Sequence, residues 1–303
     1  MTTRPDRNRY IFAILLGLSF LIFAYVITRP NAETRAVVGE RFAIDYPDVD
    51  RKVTYYVAGS GTNILLYGGT GREVSDLNEL VIDLNEAGYR TLTIGTPGIS
   101  THPPEDLNLS SYITPMENVL AAAVLDHPFC LVGYDFGSDV VRDIVPNLKV
   151  TKPEAIVLLS GNGDAITRPE IVKHTKTIFN DWALPFSRIN AVKKSYFAKE
   201  NEIPNYWKKG WRSRTARWQL AARNNSPRTL WNYGNQVPTL LVQGAEDQIF
   251  TPEEIKTSLN SQNIVNYEVS IINKSGHALL PEKPREISET VIKFLNNHCL
   301  GPT

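Results

Sequence analysis

The sequence predicts an α/β fold, built as a mainly parallel sheet with helices on both faces. Short apolar runs alternate along the chain with longer segments whose apolar residues recur at helical spacing. Continuous apolar runs are typical of strands buried on both faces, and strands that alternate with helices favour parallel pairing. The predicted strands cover residues 41–46, 52–58, 63–67, 89–94, 129–132, 155–159, 239–242 and 267–272.

The helices between these strands are predicted from spacing and from their ends. Residues 75–87 carry apolar side chains at helical spacing and end at Gly88, a residue that commonly terminates a helix. A second helix is predicted over residues 112–125, and a third follows the strand at 129–132 and ends near Leu148. The last helix covers residues 284–297 and turns the apolar residues Ile287, Val291, Ile292 and Leu295 inward.

The N-terminal part of the chain predicts a membrane anchor. Residues 10–28 contain no charge, and 19 residues of helix span about 29 Å, which is close to the thickness of a bilayer core. A cleaved signal peptide is the alternative, but Arg29 stands where small residues are expected. Residues 1–9 are then a cytoplasmic tail and residues 29–40 a linker. The slight excess of basic residues before the anchor places the catalytic domain outside or in a lumen.

Composition limits the possible partners. The chain has 32 basic and 32 acidic residues, so no net charge favours nucleic acid or an acidic partner. Its two cysteines, Cys130 and Cys299, are too few for a disulfide framework or a cluster of metal ligands. Cys130 lies in an apolar run and is predicted to be a buried thiol. We expect neither a metal nor a cofactor.

Residues 162–236 interrupt the alternation of strands and helices. They contain no buried-strand pattern and are rich in aromatic and basic residues, including five tryptophans. The segment is predicted to be a helical cap inserted into a core of residues 41–161 and 237–303. It is either a helical layer packed on its own tryptophans or a cover over the ligand-bearing edge of the sheet, and both descriptions can hold together.

A tight turn follows the strand at residues 129–132. In the sequence Gly133-Tyr134-Asp135-Phe136-Gly137, glycine stands two residues before and two residues after an aspartate. A sharp strand-to-helix turn needs small residues at these two positions, and it projects its central side chain above the sheet. The alternative is that Asp135 only caps the helix that follows.

Two further residues complete a catalytic pattern. Asp247 follows the strand at 239–242, and His277 follows the strand at 267–272. A nucleophile, an acid and a histidine therefore occur in this order, each after a strand. Glu246, next to Asp247, and Asp164, after the preceding strand, are alternative acids.

With these motifs, residues 41–298 resemble the α/β-hydrolase superfamily. The aspartate at the turn resembles the branch of epoxide hydrolases and haloalkane dehalogenases. The resemblance implies that Asp135 is a nucleophile that attacks carbon. It also implies that His277 is the base that activates water and that Asp247 orients this histidine.

The same resemblance implies an oxyanion hole. Tyr67-Gly68-Gly69 aligns with the family's His-Gly-x loop, so the N–H groups of Gly69 and Phe136 are the expected donors. Phe136 replaces the tryptophan that holds halide in dehalogenases, which favours epoxides over haloalkanes. Cap tyrosines polarise the epoxide oxygen in this branch, and the candidates here are Tyr196, Tyr206 and Tyr233.

The type of nucleophile favours an alkyl electrophile. Attack by aspartate on carbon gives an alkyl ester, which water can hydrolyse, whereas attack by serine would give an ether. The sequence thus predicts a hydrolase for a small, apolar epoxide or a related electrophile. The alternatives are another α/β-hydrolase activity, of esterase or lyase type, and a catalytically silent ligand-binding protein on the same fold.

Overall fold

The computed structural model describes residues 7–27, 34–45, 52–95, 106–123, 128–149, 152–161, 168–226, 237–261 and 266–299. The chain divides into two compact units, residues 1–32 and residues 33–303. The first unit contains helix α1 (Arg7–Ile27). The second unit contains the other described elements.

Helix α1 overlaps the predicted membrane anchor at residues 10–28. A membrane span requires about 20 predominantly apolar residues. In the part of the chain that the structure describes, no helix has both the length and the apolarity needed to cross a membrane. The prediction of a transmembrane helix, and of membrane contact through it, is therefore not supported.

The second unit is built on one sheet. Over the described residues it contains the strands β1 (Glu40–Asp45), β2 (Lys52–Gly59), β3 (Thr62–Tyr67), β4 (Tyr89–Ile94), β5 (Phe129–Tyr134), β6 (Ile156–Leu159), β7 (Thr239–Gly244) and β8 (Tyr267–Ile272). Their order is β1-β2-β4-β3-β5-β6-β7-β8. Strand β2 is antiparallel to both of its neighbours. The other pairs of neighbours are parallel, and they join β4, β3, β5, β6, β7 and β8 in this order across the sheet. The prediction of a mainly parallel sheet is confirmed.

Helices cover both faces of this sheet. They are α2 (Asn78–Glu86), α3 (Ile113–Ala123), α4 (Phe136–Asn147), α8 (Pro252–Ser261), α9 (Leu279–Glu282) and α10 (Pro284–His298). One apolar cluster contains residues of α3, α4 and α8, and a second contains residues of α2 and α10. Leu131 of β5 belongs to the first cluster and Val132 to the second, because successive strand residues point to opposite faces.

The strand order places a crevice at one edge of the sheet. Strand β4 lies on one side of β3 and β5 on the other, so the direction of winding reverses between them. In open α/β sheets, ligands bind outside the carboxyl ends of the strands at such a reversal. The segments that follow β3 and β5 therefore border the expected ligand site.

The insertion between β6 and β7 is helical where it is described. It contains α5 (Pro169–Ile178), α6 (Pro185–Tyr196) and α7 (Ser213–Asn224). Tyr196, Trp207 and Trp211 pack edge to face with ring centroids 5.3–5.8 Å apart. Arg72 of the core lies 4.4 Å from the Trp207 ring and 4.5 Å from the Trp211 ring. Trp207 and Trp211 thus pack on each other and on the core. The cap boundaries at 162 and 236 stay a prediction.

The two cysteines form a disulfide bond, so the prediction of a buried thiol at Cys130 was wrong. Cys130 lies in β5 and Cys299 directly follows α10, with their Cα atoms 6.2 Å apart. The partners are 169 residues apart in sequence. Because hydrophobic spacing carries no information about such distant pairs, only the folded chain brings them together.

We expect the variant Cys299→Ser to be less stable than the wild type. Loss of the bond allows the unfolded chain to expand, which typically costs about 2–5 kcal/mol of unfolding free energy. Urea denaturation with and without reductant measures the effect. Reductant should destabilise the wild type and leave the variant unchanged; equal stability of the two oxidised proteins would contradict the prediction.

Candidate active site

Asp135 occupies a strained turn between β5 and α4. Its backbone angles are φ 50° and ψ −111°, in a region that side-chain-bearing residues rarely adopt. Its carboxylate makes no capping hydrogen bond to α4. Capping therefore does not account for the aspartate at this position, and its side chain is directed to other partners.

Two glycines allow the turn to close. A Cβ atom on Gly133 would overlap the backbone of Gly137, and a Cβ atom on Gly137 would overlap the Tyr67 carbonyl group. The N–H of Gly137 donates to the Gly68 carbonyl at 3.1 Å. The two glycines of this turn, which we call the elbow, thus bring the turn after β5 against the loop after β3.

The structure brings Asp135, Asp247 and His277 together. His277 Nδ1 lies 2.7 Å from Asp247 Oδ2, and His277 Nε2 lies 3.5 Å from Asp135 Oδ1. All three side chains are buried. The imidazole therefore stands between the two carboxylates, as the order of the residues in the sequence predicts.

Asp247 is held by groups from its own loop. Its Oδ1 accepts the N–H groups of Ile249 at 2.7 Å and Phe250 at 2.9 Å. The amide of Gln243 donates to Oδ2. These bonds fix the orientation of the carboxylate and, through it, of the His277 ring. Sequence reasoning did not find Gln243, the residue before the glycine that ends β7.

The alternative acids lie elsewhere. Glu246 accepts the N–H of Lys199 at 3.0 Å, a residue of the insertion. Asp164 lies outside the described residues. Among the described acids, Asp247 is bonded to the histidine.

A backbone donor reaches Asp135 from the loop after β3. The N–H of Thr70 donates to Asp135 Oδ2 at 2.7 Å. Gly69 borders the same carboxylate, because a Cβ atom placed on it would lie 3.2 Å from Asp135 Oδ2. The donors named from the sequence, Gly69 and Phe136, stay a prediction. Thr70, one residue beyond Gly69, is an observed donor that sequence reasoning missed.

The Phe136 side chain belongs to the hydrophobic core. Its ring lies 5.2 Å from the Tyr112 ring and 6.3 Å from the Tyr67 ring, centroid to centroid. The side chain is fully buried. Phe136 therefore packs the turn onto Tyr112, which directly precedes α3, and onto β3. Tyr67, which stands in place of the family's histidine, has the same role.

Arg223 of α7 reaches Asp135 from the insertion. Its Nη2 lies 3.5 Å from Asp135 Oδ1, and its Nε and Nη2 each lie 2.6 Å from Asp139 Oδ2. Asp139 also pairs with Arg142 on α4. Sequence reasoning missed Arg223, because no spacing rule relates a residue of an inserted helix to a turn almost 90 residues earlier.

The charges of the site shift two pKa values in opposite directions. Burial raises the pKa of Asp135, but the neighbouring His277 and Arg223 and the Thr70 N–H outweigh it and lower this pKa to about 2. Burial lowers the pKa of His277, but Asp247 and Asp135 outweigh it and raise this pKa to about 10. At neutral pH the resting site therefore holds an imidazolium between two carboxylates.

The three cap tyrosines occupy different places. The Tyr196 ring packs against the His277 ring at 5.2 Å. Burial and the nearby Asp135 raise the pKa of Tyr196, so it remains a neutral hydroxyl donor. Tyr206 instead lies under Arg35, 3.7 Å from its guanidinium, and Tyr233 lies outside the described residues. Of the described candidates, Tyr196 adjoins the site.

Within the described residues, one group of side chains has the proximity of metal ligands. It consists of Cys130, Glu154 and Cys299, whose potential ligand atoms lie within 4.8 Å of one another. Both sulfurs are consumed by the disulfide bond. A metal would need thiolates here, so the oxidised protein offers it no sulfur ligand.

Solved structures resemble this chain over most of its length. An esterase from Thermogutta terrifontis with bound malate covers 86% of the chain and all of its own, with a TM-score of 0.68 and 13% identity. A bromoperoxidase from Bacillus anthracis covers 85% of the chain and all of its own, with a TM-score of 0.68 and 18% identity. The carboxylesterase CesB from Bacillus subtilis covers 92% of the chain and 98% of its own, with a TM-score of 0.68 and 13% identity.

This chain has the α/β-hydrolase fold. No family model matches the sequence, and no curated protein matches it. At identities below 20%, the likeness to solved structures establishes the fold alone. Within the α/β-hydrolase fold, the epoxide hydrolase and haloalkane dehalogenase branch stays a prediction that depends on the aspartate elbow.

We expect the site to make stability depend on pH at both ends of the scale. The raised pKa of His277 contributes stability that is complete below about pH 6.5 and is lost as the pH rises to about 10. The lowered pKa of Asp135 contributes stability that is present above about pH 3.8 and is lost as the pH falls to about 2. Urea denaturation across the pH range measures both losses.

Two variants separate these contributions. The free energy of unfolding of His277→Gln should not fall as the pH rises to about 10. For Asp135→Asn, the fall in this free energy as the pH drops to about 2 should be smaller than in the wild type. If the wild type and His277→Gln lose the same free energy of unfolding at alkaline pH, the imidazolium is not the group responsible.

Proposed function

We propose that the protein is a hydrolase that opens an epoxide or a related alkyl electrophile through a covalent ester on Asp135. One observation carries the proposal. A carboxylate, not a hydroxyl, occupies the strained elbow, and His277, bonded to Asp247, faces it across 3.5 Å. The sequence predicts a small, apolar substrate, and the site is bordered by Tyr196, whose ring packs on Trp207 and Trp211 of the insertion.

The chemistry of the nucleophile selects the type of electrophile. A carboxylate that attacks an sp³ carbon forms an alkyl ester and keeps a carbonyl group for water to attack. A carboxylate that attacks a carboxylic ester forms an anhydride, which is uphill. The aspartate therefore favours displacement at carbon over the ester hydrolysis for which serine nucleophiles are suited.

In the first step, Asp135 Oδ1 attacks an epoxide carbon and the carbon–oxygen bond breaks. Oδ1 is the attacking atom because Oδ2 is engaged by the Thr70 N–H. The negative charge moves from the aspartate to the alkoxide. Because Asp135 is then neutral, the pKa of His277 falls, and the imidazolium releases its proton to the alkoxide, directly or through the Tyr196 hydroxyl.

In the second step, neutral His277 removes a proton from water, and the hydroxide attacks the ester carbonyl carbon of Asp135. The carbonyl oxygen is Oδ2, which the Thr70 N–H already contacts, so this donor stabilises the tetrahedral oxyanion. A donor in this position typically contributes about 2.7–4 kcal/mol. Collapse of the intermediate breaks the bond between the carbonyl carbon and Oδ1, and Oδ1 leaves as an oxygen of the diol. The hydroxyl proton of the intermediate passes to this oxygen, so Asp135 is restored as a carboxylate that holds the oxygen of water, and the imidazolium remains.

We expect Asp135→Asn to lose at least about a thousandfold in epoxide turnover, because a neutral amide cannot form the ester. Asp143→Asn is the matched control, since Asp143 lies on the same helix and is bonded to Ser110 instead of the site. The loss is measured as the rate of styrene oxide turnover by the freshly purified variants and the wild type. A variant at position 135 that opens the epoxide at the wild-type rate would remove the mechanism.

We expect His277→Gln to form the ester slowly and to accumulate it. The variant lacks the imidazolium that protonates the alkoxide, and it lacks the base that activates water. Intact-protein mass spectrometry after incubation with styrene oxide should find one added substrate mass, located on Asp135 by peptide analysis. The double variant that combines His277→Gln with Asp135→Ala should gain no mass. If both proteins gain the substrate mass, the reaction takes place on another residue.

A carboxylic-ester hydrolase is the second candidate, because solved structures that share the fold are named as esterases. In that case Asp135 does not act as a nucleophile. The p-nitrophenyl esters of short acids separate the two. The second candidate is selected if the Asp135→Asn variant still hydrolyses these esters and the wild type does not open epoxides. If the wild type turns over neither epoxides nor esters, a ligand-binding protein is favoured.

We also propose that the catalytic domain works in an oxidising compartment. The Cys130–Cys299 disulfide supports this, because such bonds persist outside the cell and in lumenal spaces and are rare in the cytosol. Two free thiols in protein isolated from its native compartment would contradict it.

A further inference from the structure

The segment that joins α5 to α6 exposes large apolar side chains to solvent. Trp182, Leu184 and Phe186 are 61%, 58% and 70% exposed, more than any other large apolar side chain among the described residues of the second unit. Ile82 on α2 and Val269 on β8 are exposed singly, which is ordinary for a globular protein. Three such side chains within five residues instead form a projection, which we call the apolar wedge.

A groove next to the apolar wedge carries positive charge. It lies between α5 and the same segment and has a volume of about 570 Å³. Of the described residues that line it, the charged ones are Lys173 and Lys176, and both are exposed. Val172 and Ala183 are apolar lining residues, and so is Leu184, which also belongs to the wedge. Apolar and cationic groups therefore share one continuous surface.

The α5–α6 hairpin is basic as a whole. Leaving His174 aside, residues 168–196 contain six basic residues and two acidic ones. Of the two acids, Asp181 accepts a hydrogen bond from Ser213 Oγ of α7 at 2.5 Å, and Glu170 is not among the residues that line the groove. Positive charge beside exposed aromatic side chains complements a surface that is anionic outside and apolar beneath.

The backbone of the wedge is held by its own hydrogen bonds. The buried Arg188 donates from Nε to the Ile178 carbonyl at 2.9 Å and from Nη2 to the Asn180 carbonyl at 2.6 Å. The Trp182 N–H donates to Asn180 Oδ1 at 2.9 Å. Helix α6 then begins at Pro185, a residue favoured in the first turn. The wedge is thus formed in advance, with its apolar side chains directed to solvent.

We propose that the apolar wedge and the groove dock the protein onto the surface of an anionic phospholipid bilayer. The wedge side chains enter the headgroup layer, and Lys173 and Lys176 contact lipid phosphates. This contact lies at the surface and needs no helix that spans the bilayer. The inference goes beyond the proposed function and does not depend on it, because docking requires no reaction at Asp135.

A bilayer fits this surface better than a second protein does. The exposed area of the three wedge side chains is on the order of 400 Å². A stable protein interface takes about 800 Å² from each partner, and lysine is depleted in such interfaces. Tryptophan, by contrast, is enriched where membrane meets water, and anionic headgroups attract lysine. A narrow apolar wedge flanked by lysines therefore matches a lipid headgroup layer.

Amide hydrogen exchange of the full-length protein tests the docking. The protein is incubated with vesicles of phosphatidylcholine alone or of phosphatidylcholine mixed with phosphatidylglycerol. Exchange over residues 180–187 reports contact at the wedge. Exchange in the peptides that contain Ile82 and Val269 reports exposed surface elsewhere, and a titration with vesicles gives the affinity.

Two combined variants remove the two parts of the surface. The wedge variant replaces the three apolar side chains by serine, and its matched control combines Ile82→Ser with Val269→Ser. The lysine variant combines Lys173→Gln with Lys176→Gln. Its matched control replaces two exposed lysines of the core by glutamine, Lys256 on α8 and Lys293 on α10.

We expect vesicles that contain phosphatidylglycerol to slow exchange over residues 180–187, and phosphatidylcholine alone to leave it unchanged. The lysine variant should bind the anionic vesicles about 30-fold more weakly, as the loss of two lysines near an anionic surface implies. Salt at about 1 M should weaken binding of the wild type, because it screens the same charges. The wedge variant should lose the protection, and both controls should match the wild type.

Unchanged exchange with anionic vesicles, equal protection by phosphatidylcholine alone, or a wild-type affinity in either variant would overturn the inference. Protection that rises with protein concentration in the absence of lipid would overturn it too, and would assign the wedge to a second copy of the chain. Urea denaturation without vesicles checks that the variants fold. If the wedge variant does not fold, the lysine variant decides. A protein that docks but opens no epoxide would overturn the proposed function alone.

Discussion

The site depends on a charged carboxylate that is held in a sterically unfavourable turn inside the protein. A residue in this backbone region costs about 1–3 kcal/mol, and a buried charge requires nearby partners. The surroundings of Asp135 meet both requirements. Glycines 133 and 137 let the turn close, and the first residues of α4 fix its far end. The Thr70 N–H, His277 and Arg223 then compensate the charge from three separate parts of the chain.

Charge compensation explains why the site draws on so many elements. Pairs of buried opposite charges are favourable only when their geometry is exact enough to replace the lost water. Here the carboxylates Asp135 and Asp247 share one imidazolium, and the Asp139 carboxylate lies between two arginines. Four of these groups have two ionic partners each, so the loss of any one leaves another charge without its full set of partners; they are Asp135, Asp139, Arg223 and His277. The pairings also couple the protonation of the histidine to the state of the nucleophile, since an ester at Asp135 removes one of its two anions.

The sequence predicted the sheet and the three chain positions that meet above it. Strands β4 and β8 lie where the apolar runs placed them, because local patterns determine buried strands. The elbow glycines, Asp135, Asp247 and His277 were found because each follows a strand at the same edge. Thr70, Gln243 and Arg223 were not found, since their roles depend on contacts between distant segments. The disulfide was missed for the same reason. The transmembrane prediction used the length, the absence of charge and the flanking residues of segment 10–28, and helix α1 does not support it.

The disulfide bond has a consequence for the continuity of the chain. Cys130 precedes the insertion and Cys299 follows it, and the nucleophile lies on the first side, whereas the acid and the histidine lie on the second. A protease that cuts within residues 162–236 would therefore leave two fragments joined by one covalent bridge. Because β5 would still pair with β6 and α10 would still be attached to β5, such a nicked protein retains the link between its two catalytic halves. Maturation by cleavage of the insertion is thus compatible with an intact pair of carboxylate and imidazole.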